Sequence, residues 1–315
     1  MANSNQQTPT TEGEPKSQGR PITWRDYYEL TKPKVVYLLV FTAVVGMFLA
    51  NDVTQSWFPP ISALIFGTLG IAFASGAAAV VNHVVDARID TMMARTMQRP
   101  VAQGRVKPRN AVIFSTILAA VAMAMLWFLV NPLTAVLTLG GLVGYAFVYT
   151  MFLKRATPQN IVIGGLSGAI PPLLGWTSVT GSADPYAWLL VLIIFTWTPP
   201  HFWALSIHRI EDYAKAEIPM LPVTHGEDFT KTSIVLYTIL LILSTLLPYL
   251  TGMSGIIYLI GAVGLGLWFL YYTVILKYRE REGIAMKTFG VSIGYLTFLF
   301  AFLLIDHYVD PFIKF

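Results

Sequence analysis

The sequence predicts an all-α polytopic membrane protein with about nine transmembrane helices, and three observations point to this class. Apolar residues make up 55% of the 315 residues, and the mean hydropathy of +0.61 lies above the range of soluble domains. Apolar runs long enough to cross a bilayer recur along the chain. The basic residues fall almost entirely in alternate connections between these runs.

Nine apolar runs approach the length of about 20 residues that crosses the hydrocarbon core. The first run is the shortest, and Asn131-Pro132 separates the third from the fourth. The predicted spans are residues 35–51, 60–81, 111–130, 133–152, 160–179, 187–206, 233–250, 254–275 and 289–309. Residues 1–22 are polar and lack the apolar core of a signal peptide, so we predict a disordered cytoplasmic tail there. Residues 23–315 then form a single transmembrane domain.

The distribution of Lys and Arg orients the predicted helices. Five basic residues precede the first span, and six, two, three and four follow spans two, four, six and eight. Of the 21 Lys and Arg residues, only Lys314 lies on the other side. Because cytoplasmic connections carry the excess of Lys and Arg, we predict a cytoplasmic N-terminus. The net charge of +4 therefore has a membrane explanation and indicates no nucleic-acid partner. The absence of cysteine excludes disulfides and thiolate metal sites.

The connection after span two gathers both signs of charge. Asn82, Asp86 and Asp90 follow one another at four-residue steps, so on a helix they share one face, about 6 Å apart along the axis. Mg²⁺ usually binds one or two carboxylates together with phosphate oxygens. Arg95 and Arg99 follow, and guanidinium groups bind multi-oxygen anions in bidentate fashion. The pattern indicates a metal–diphosphate site, and a solvated loop held by Asp–Arg pairs is the alternative.

The connection after span six is the second charged connection on the predicted cytoplasmic side. His201, His208 and Asp212 lie at i, i+7 and i+11, which places them on one face of a continuous helix, beside Arg209. If it faces the first connection across a cavity, it supplies the other half of a clamp for a diphosphate and its metal ions. The histidines lack the spacing of a metal-binding motif, and His201 is singled out because it follows a double proline within span six.

Four segments carry motifs of a known family. NHVVDARIDTMMARTMQRPVAQGRV contains Asn-x-x-x-Asp-x-x-x-Asp, followed by Met-x-Arg-Thr-x-x-Arg-Pro over residues 93–100. The other segments are TKPKV (31–35), YTMFLKRATPQNIVIGGLSGAIPPLLGW (149–176) and PPHFWALSIHRIEDYAKAEIPMLPVTHG (199–226). Together they cover the chain from about residue 24 to 226, and they resemble the intramembrane aromatic prenyltransferase superfamily, in particular its haem-farnesylating branch.

The resemblance implies a central cavity, open at the cytoplasmic face of a bacterial plasma membrane, where farnesyl diphosphate and Mg²⁺ bind. The farnesyl group would be transferred to a vinyl group of haem B, giving haem O, which haem O-using or haem A-forming membrane proteins would receive. The implied catalytic residues are Asn82, Asp86, Asp90 and Asp212, with the three aspartates also acting as metal ligands. The implied diphosphate ligands are Arg95, Arg99, Lys154 and Arg209, and the implied haem contacts are His201 and Trp203.

The segment 199–226 departs from the corresponding motif of other branches of the superfamily. Those branches carry two or more aspartates there. Here Asp212 is accompanied by Glu211 and by His208 four positions earlier, so the number of metal ions stays open.

Two other functions also stay open. A prenyltransferase of the same superfamily acting on a quinone precursor would keep the diphosphate site and differ in its acceptor pocket. A haem or ion transporter would place ionisable groups near the bilayer midplane, whereas here they cluster at span ends.

Overall fold

The computed structural model describes residues 21–93, 96–279 and 281–313, and no strand occurs in these three ranges. The helices are α1 (Trp24–Leu30), α2 (Pro33–Leu49), α3 (Thr68–Val85), α4 (Ala87–Asp90), α5 (Pro108–Leu129), α6 (Pro132–Val143), α7 (Lys154–Ala156), α8 (Asn160–Ala169), α9 (Pro171–Thr180), α10 (Pro185–His208), α11 (Ile210–Lys215), α12 (Leu221–His225), α13 (Glu227–Leu250), α14 (Ile256–Tyr278) and α15 (Ile284–Ile313). Two π-helical segments, Ala63–Gly67 and Gly144–Leu153, lead directly into α3 and α7. The predicted tail lies almost entirely outside the described residues.

The prediction of about nine membrane-spanning helices is confirmed. Eight helical stretches of the described chain are long and apolar enough to cross a membrane. They are Ala63–Val85, Pro108–Leu129, Pro132–Ala156, Asn160–Thr180, Pro185–His208, Glu227–Leu250, Ile256–Tyr278 and Ile284–Val309. The ninth is the pair α1 and α2, which bends by 55° at Thr31-Lys32.

Prolines and glycines set several of the helix boundaries. Proline occupies the first turn of α2, α5, α6, α9 and α10, where its missing N–H costs no hydrogen bond. Asn131 caps α6, because its Oδ1 accepts the backbone N–H of Thr134 at 2.9 Å. Gly181 ends α9 in the left-handed conformation at φ +69°. The break predicted at Asn131-Pro132 is therefore a capped helix start.

α10 is the central helix of the bundle. It packs against α8, α9, α13 and α15, and it is the most completely buried of the spanning helices. α5 and α6 are largely exposed, as expected on the lipid-facing side. α2 approaches α9 closely, because a Cβ atom on Gly46 would overlap the backbone of Pro172. Small residues allow such close backbone contact between membrane helices.

The two charged connections lie at the same end of the bundle, which we call the charged end. Met93 of the first connection packs in one apolar cluster with Tyr213, Ala216 and Ile218 of the second. The cluster also contains Trp203 of α10. Apolar contact therefore fixes the two connections against each other, as a shared site requires.

The second connection differs from the prediction in one respect. The expectation that His201, His208 and Asp212 share one face of a continuous helix is wrong. α10 ends at His208, and Arg209 has a non-helical backbone conformation (φ −119°, ψ 28°) before α11 begins. His201 is buried, whereas His208 is exposed.

Candidate functional site

Asn82, Asp86 and Asp90 keep their helical spacing, although the helix is interrupted at Asp86. α3 ends at Val85, and Asp86 links it to α4 with φ −86° and ψ 0°. The backbone N–H of Asp86 still donates to the carbonyl of Asn82 at 3.0 Å, and that of Asp90 to the carbonyl of Asp86 at 2.8 Å. These bonds place the three side chains on successive turns, as predicted. All three are nearly fully buried, at 4%, 0% and 2% exposure.

Asp86 has one carboxylate oxygen that is engaged and one that is not. Its Oδ2 accepts from Asn82 Nδ2 at 2.8 Å and from Lys154 Nζ. Its Oδ1 is buried without a hydrogen-bond partner among the described residues, and Arg155 Nη2 lies 4.0 Å from it. A buried carboxylate oxygen without a donor is the kind of atom that a bound cation satisfies.

Asp90 is held by the arginine that the sequence assigned to phosphate. Both of its carboxylate oxygens accept from Arg99 Nη1 at 2.7 Å. The Arg99 side chain is 18% exposed, so it borders solvent-accessible space while Asp90 does not. Arg95, the other predicted phosphate ligand of this loop, lies outside the described residues.

Lys32 is a member of the site that the sequence analysis missed. It lies in the break between α1 and α2 with a left-handed backbone (φ +51°), and its Nζ donates to Asn82 Oδ1. It also lies within electrostatic range of the charged side chains of the site, which are Arg99, Lys154, Asp86 and Asp90. The available signal was a lysine immediately before the first span, within a segment that matched the family.

Two tyrosines and a threonine from the π-helical segment Gly144–Leu153 were also missed. Thr150 Oγ1 lies 3.5 Å from Asn82 Nδ2, and the rings of Tyr145 and Tyr149 stack at 5.5 Å. Tyr149 is near enough to Asp86 and to Tyr213 to interact electrostatically with both. π-helical turns occur frequently at functional sites. Here the turn brings an aromatic pair to the place where the two connections meet.

The second connection contributes less to this group than predicted. Asp212 Oδ2 accepts from Arg209 Nη1 at 3.3 Å, and both side chains remain about 30% exposed (27% and 30%). Within the described ranges, no three Asp, Glu or His side chains lie together as one metal-binding group. The structure therefore brings Asp86 and Asp90 together with cations, and it leaves Asp212 paired with Arg209.

His201 lies in a separate environment inside the bundle. Its ring stacks between Trp197 at 4.2 Å and Phe289 at 4.4 Å, and its Nδ1 hydrogen-bonds Ser292 Oγ at 2.6 Å. No hydrogen bond from the described residues engages its Nε2. α10 and α15 therefore fix the orientation of this imidazole.

Trp203, the second predicted haem contact, is a core residue. It is 1% exposed, and it meets the ring of Tyr237 on α13 edge-on at 5.2 Å. Its indole N–H has no partner among the described residues.

The chemistry of the charged end suits a divalent cation and a multi-oxygen anion. Asp86 and Asp90 are oxygen ligands of the kind that Mg²⁺ prefers, and Asp86 Oδ1 is the open position. Lys32, Arg99 and Lys154 supply positive charge within the same group. An anion entering here would meet three cations beside nearly fully buried carboxylates, where charge interactions are stronger than in bulk water.

Comparison with known proteins agrees with this chemistry. Residues 39–303 match the UbiA prenyltransferase family. The protoheme IX farnesyltransferase of Marinobacter nauticus is 62% identical over 288 residues, which is 91% of this chain and 94% of that one. The protoheme IX farnesyltransferase of Alcanivorax borkumensis is 60% identical over 286 residues, again 91% and 94% of the two chains.

Solved structures share the fold at low identity. One described as a digeranylgeranylglyceryl phosphate synthase gives a TM-score of 0.76 at 18% identity, covering 90% of this chain and 98% of that one. A UbiA homolog from Archaeoglobus fulgidus, bound to GPP and Mg²⁺, gives 0.60 at 17% identity, covering 88% and 99%. With the family match over most of its length, this chain belongs to the UbiA prenyltransferase family and is a membrane prenyltransferase.

Proposed function

We propose that this chain transfers the farnesyl group of farnesyl diphosphate to a vinyl group of haem B, giving haem O and diphosphate. The observation that carries the proposal is that Asn82, Asp86 and Asp90 are buried in a row and that a Lys or Arg side chain contacts each of them. Relatives of about 60% identity named protoheme IX farnesyltransferase support the choice of donor and acceptor.

The charged end would bind the diphosphate and prepare it to leave. Diphosphate is a poor leaving group until its negative charge is neutralised. Lys32, Arg99 and Lys154 would contact its oxygens, and Asp86 and Asp90 would hold Mg²⁺. When bound, Mg²⁺ supplies Lewis-acid stabilisation of the charge that develops on the departing oxygens.

The bond changes then balance without a further cofactor. The farnesyl C–O bond breaks, and its electron pair leaves with the diphosphate. The π electrons of the haem vinyl group form the new C–C bond to the farnesyl carbon. A water molecule adds its oxygen to the other vinyl carbon and releases a proton. The apolar helices around the site keep water from the allylic cation before the C–C bond forms.

We assign His201 to the acceptor. Its ring is fixed between Trp197 and Phe289, and Ser292 occupies Nδ1, so Nε2 is the nitrogen that can contact the haem iron or a propionate. His201 lies within α10 before its last two turns, whereas Asp212 lies beyond the interruption at Arg209. This separation suits a donor at the charged end and an acceptor deeper in the bundle.

We further propose that the protein lies in a bacterial plasma membrane with its N-terminus and charged end in the cytoplasm. Bacterial relatives support the choice of membrane, and the distribution of basic residues supports the orientation. Farnesyl diphosphate would then enter from the cytoplasm, and haem O would leave towards membrane proteins that use it or convert it to haem A.

Mass spectrometry of reaction products tests the proposal. Purified protein in lipid nanodiscs is incubated with farnesyl diphosphate, haem B and Mg²⁺, and in parallel with a phenolic quinone precursor in place of haem. We expect a haem product that carries one farnesyl group and one hydroxyl group, together with released diphosphate. Farnesylation of the phenolic acceptor, with haem left unchanged, would show that the acceptor is a quinone precursor and not haem.

A further inference from the structure

A salt bridge ties α1 to the loop between α4 and α5. Arg105 Nη1 donates to Asp26 Oδ1, and Asp26 is only 1% exposed. The other carboxylate oxygen of Asp26 accepts the backbone N–H of Thr23 at 2.9 Å, which caps α1. Glu29 Oε2 lies 3.6 Å from Arg105 Nη2 and is more exposed. Asp26 therefore fixes both its own helix and the arginine of the loop.

Arg105 also reaches the residue that precedes Arg99. Its Nη2 donates to the backbone carbonyl of Gln98 at 2.7 Å. Arg99 follows directly, and its Nη1 contacts both oxygens of Asp90 at 2.7 Å. A continuous series of contacts thus runs from Asp26 through Arg105 and the Gln98 carbonyl to Arg99 and Asp90.

Apolar contacts also join the loop to α1. Leu30, at the end of α1, is fully buried in a cluster with Val101 and Val106 of the loop and Val80 of α3. The loop is therefore held on α1 by one partly buried ion pair and by one cluster of apolar side chains. Loops with few such contacts move, and a phosphate-binding arginine on a moving loop loses binding free energy to its own ordering.

We propose that Asp26 and Arg105 are positioning residues that set Arg99 over the diphosphate site. Neither touches the substrate; each acts through the backbone on which Arg99 is carried. This inference rests on the proposed binding of a prenyl diphosphate at the charged end. It gives α1, which lies outside both charged connections, a role in binding the prenyl diphosphate.

The pair should affect the donor and spare the acceptor. His201, the proposed haem contact, is held by Trp197 of α10 and by Phe289 and Ser292 of α15, none of which belongs to the loop. Loss of the Asp26–Arg105 pair should therefore raise the Kd of the prenyl diphosphate and the KM for farnesyl diphosphate. The KM for haem should remain near its original value.

The test measures Mg²⁺-dependent binding of farnesyl thiodiphosphate, a slowly reacting analogue, to the full chain in nanodiscs. We expect Asp26→Asn and Arg105→Gln each to raise its Kd about tenfold, which is about 1.4 kcal/mol. Arg105→Lys keeps the ion pair and loses the bond to Gln98, so an intermediate Kd is expected. Arg25→Gln is the matched control, because Arg25 lies on the exposed side of α1 over the ring of Trp24.

A double-mutant cycle with Arg99→Gln separates positioning from general stability. If Arg105 acts through Arg99, then Arg105→Gln adds little to the Kd of the Arg99→Gln protein. Full additivity, an unchanged Kd in folded Arg105→Gln and Asp26→Asn proteins, or an equal rise in the haem KM would each overturn the inference. Failure of the unmodified protein to bind the analogue would instead overturn the proposed function.

Discussion

Asp86 and Asp90 are buried carboxylates that would hold Mg²⁺ in the proposed site, and neither belongs to an apolar cluster of the core. We expect Asp86→Asn and Asp90→Asn each to lower turnover by about 100-fold or more, because charge stabilisation of a leaving group is among the largest contributions to catalysis. The assay is haem O formation at saturating Mg²⁺, with thermal unfolding measured in parallel.

Asp52→Asn is the control for this pair of substitutions. Asp52 is an exposed aspartate in the loop after α2, at the other end of the bundle, where it bonds Thr54 and Gln55. Near-normal turnover of either site variant, at an unchanged Mg²⁺ requirement, would remove that carboxylate from the metal site.

His201 allows a test of the division between donor and acceptor. We expect His201→Ala to raise the KM for haem or to lower turnover, because the proposed contact between the imidazole and the acceptor would be lost. Ser292→Ala removes the bond to Nδ1 and the bond that Ser292 Oγ donates to the carbonyl of Phe289, and it should have a smaller effect of the same kind. Binding of farnesyl thiodiphosphate and its Mg²⁺ dependence should be unchanged in both.

His225→Ala is the matched control for His201→Ala, because His225 is an exposed histidine at the charged end. A weakened diphosphate affinity in His201→Ala, with haem binding intact, would place His201 at the donor end of the cavity.

The residues of the candidate site differ in how far the sequence could predict them. Asn82, Asp86 and Asp90 lie at helical spacing, and a local pattern of that kind survives folding. The contact of Lys32 with Asn82 spans 50 positions and depends on a left-handed backbone at Lys32, so no local pattern contains it. The pairing of Arg99 with Asp90 also depends on how the loop folds back.

At the scale of elements, the apolar runs predicted the spans well because lipid exposure demands continuous apolar helices. The π-helical segment Gly144–Leu153 was not predictable, because an i→i+5 turn leaves no mark on hydropathy. The end of α10 at His208 was missed for a different reason. The helical pattern continues into Ile210–Lys215, and only the backbone of Arg209 interrupts it.

Two glycines of α8 test the packing that holds the π-helical segment. A Cβ atom on Gly164 would overlap the ring of Tyr149, whereas one on Gly168 would meet nothing within 4 Å. We expect Gly164→Ala to displace the ring, to destabilise the protein by about 1–3 kcal/mol and to lower turnover. Gly168→Ala, the matched control in the same helix, should leave both properties unchanged.

The measurements are thermal unfolding in nanodiscs and haem O formation. A Gly164→Ala protein with unchanged stability and turnover would show that Tyr149 relaxes without cost, and the tyrosine pair would then have no fixed role.

At the scale of the whole molecule, the orientation in the membrane can be measured directly because the chain has no cysteine. Single cysteines at Lys107 and Lys215 should react with an impermeant thiol reagent only from the cytoplasmic side. A cysteine at Ser182, in the connection between α9 and α10, should react only from the opposite side. Gly104 and Gly226 lie in the same two connections, but their positive φ values would strain a cysteine, so they are unsuitable positions.

Labelling of Lys107→Cys and Lys215→Cys from different sides would contradict the meeting of the two connections at one end. Labelling of both from the outside would invert the orientation and leave the fold intact.

The cations on Asn82, Asp86 and Asp90 have a thermodynamic consequence for the intact protein. Lys154 and Arg99 are paired with Asp86 and Asp90, the two carboxylates that would hold Mg²⁺ in the proposed site. The same pairs keep these two cations from a diphosphate. Each of the two proposed ligands would release the groups that bind the other, so we expect Mg²⁺ and the diphosphate to bind with positive cooperativity. By linkage, Mg²⁺ must raise the affinity for the thiodiphosphate by the same factor as the thiodiphosphate raises that for Mg²⁺. Calorimetric titrations in both orders should give equal factors well above one, and independent binding would give a factor of one.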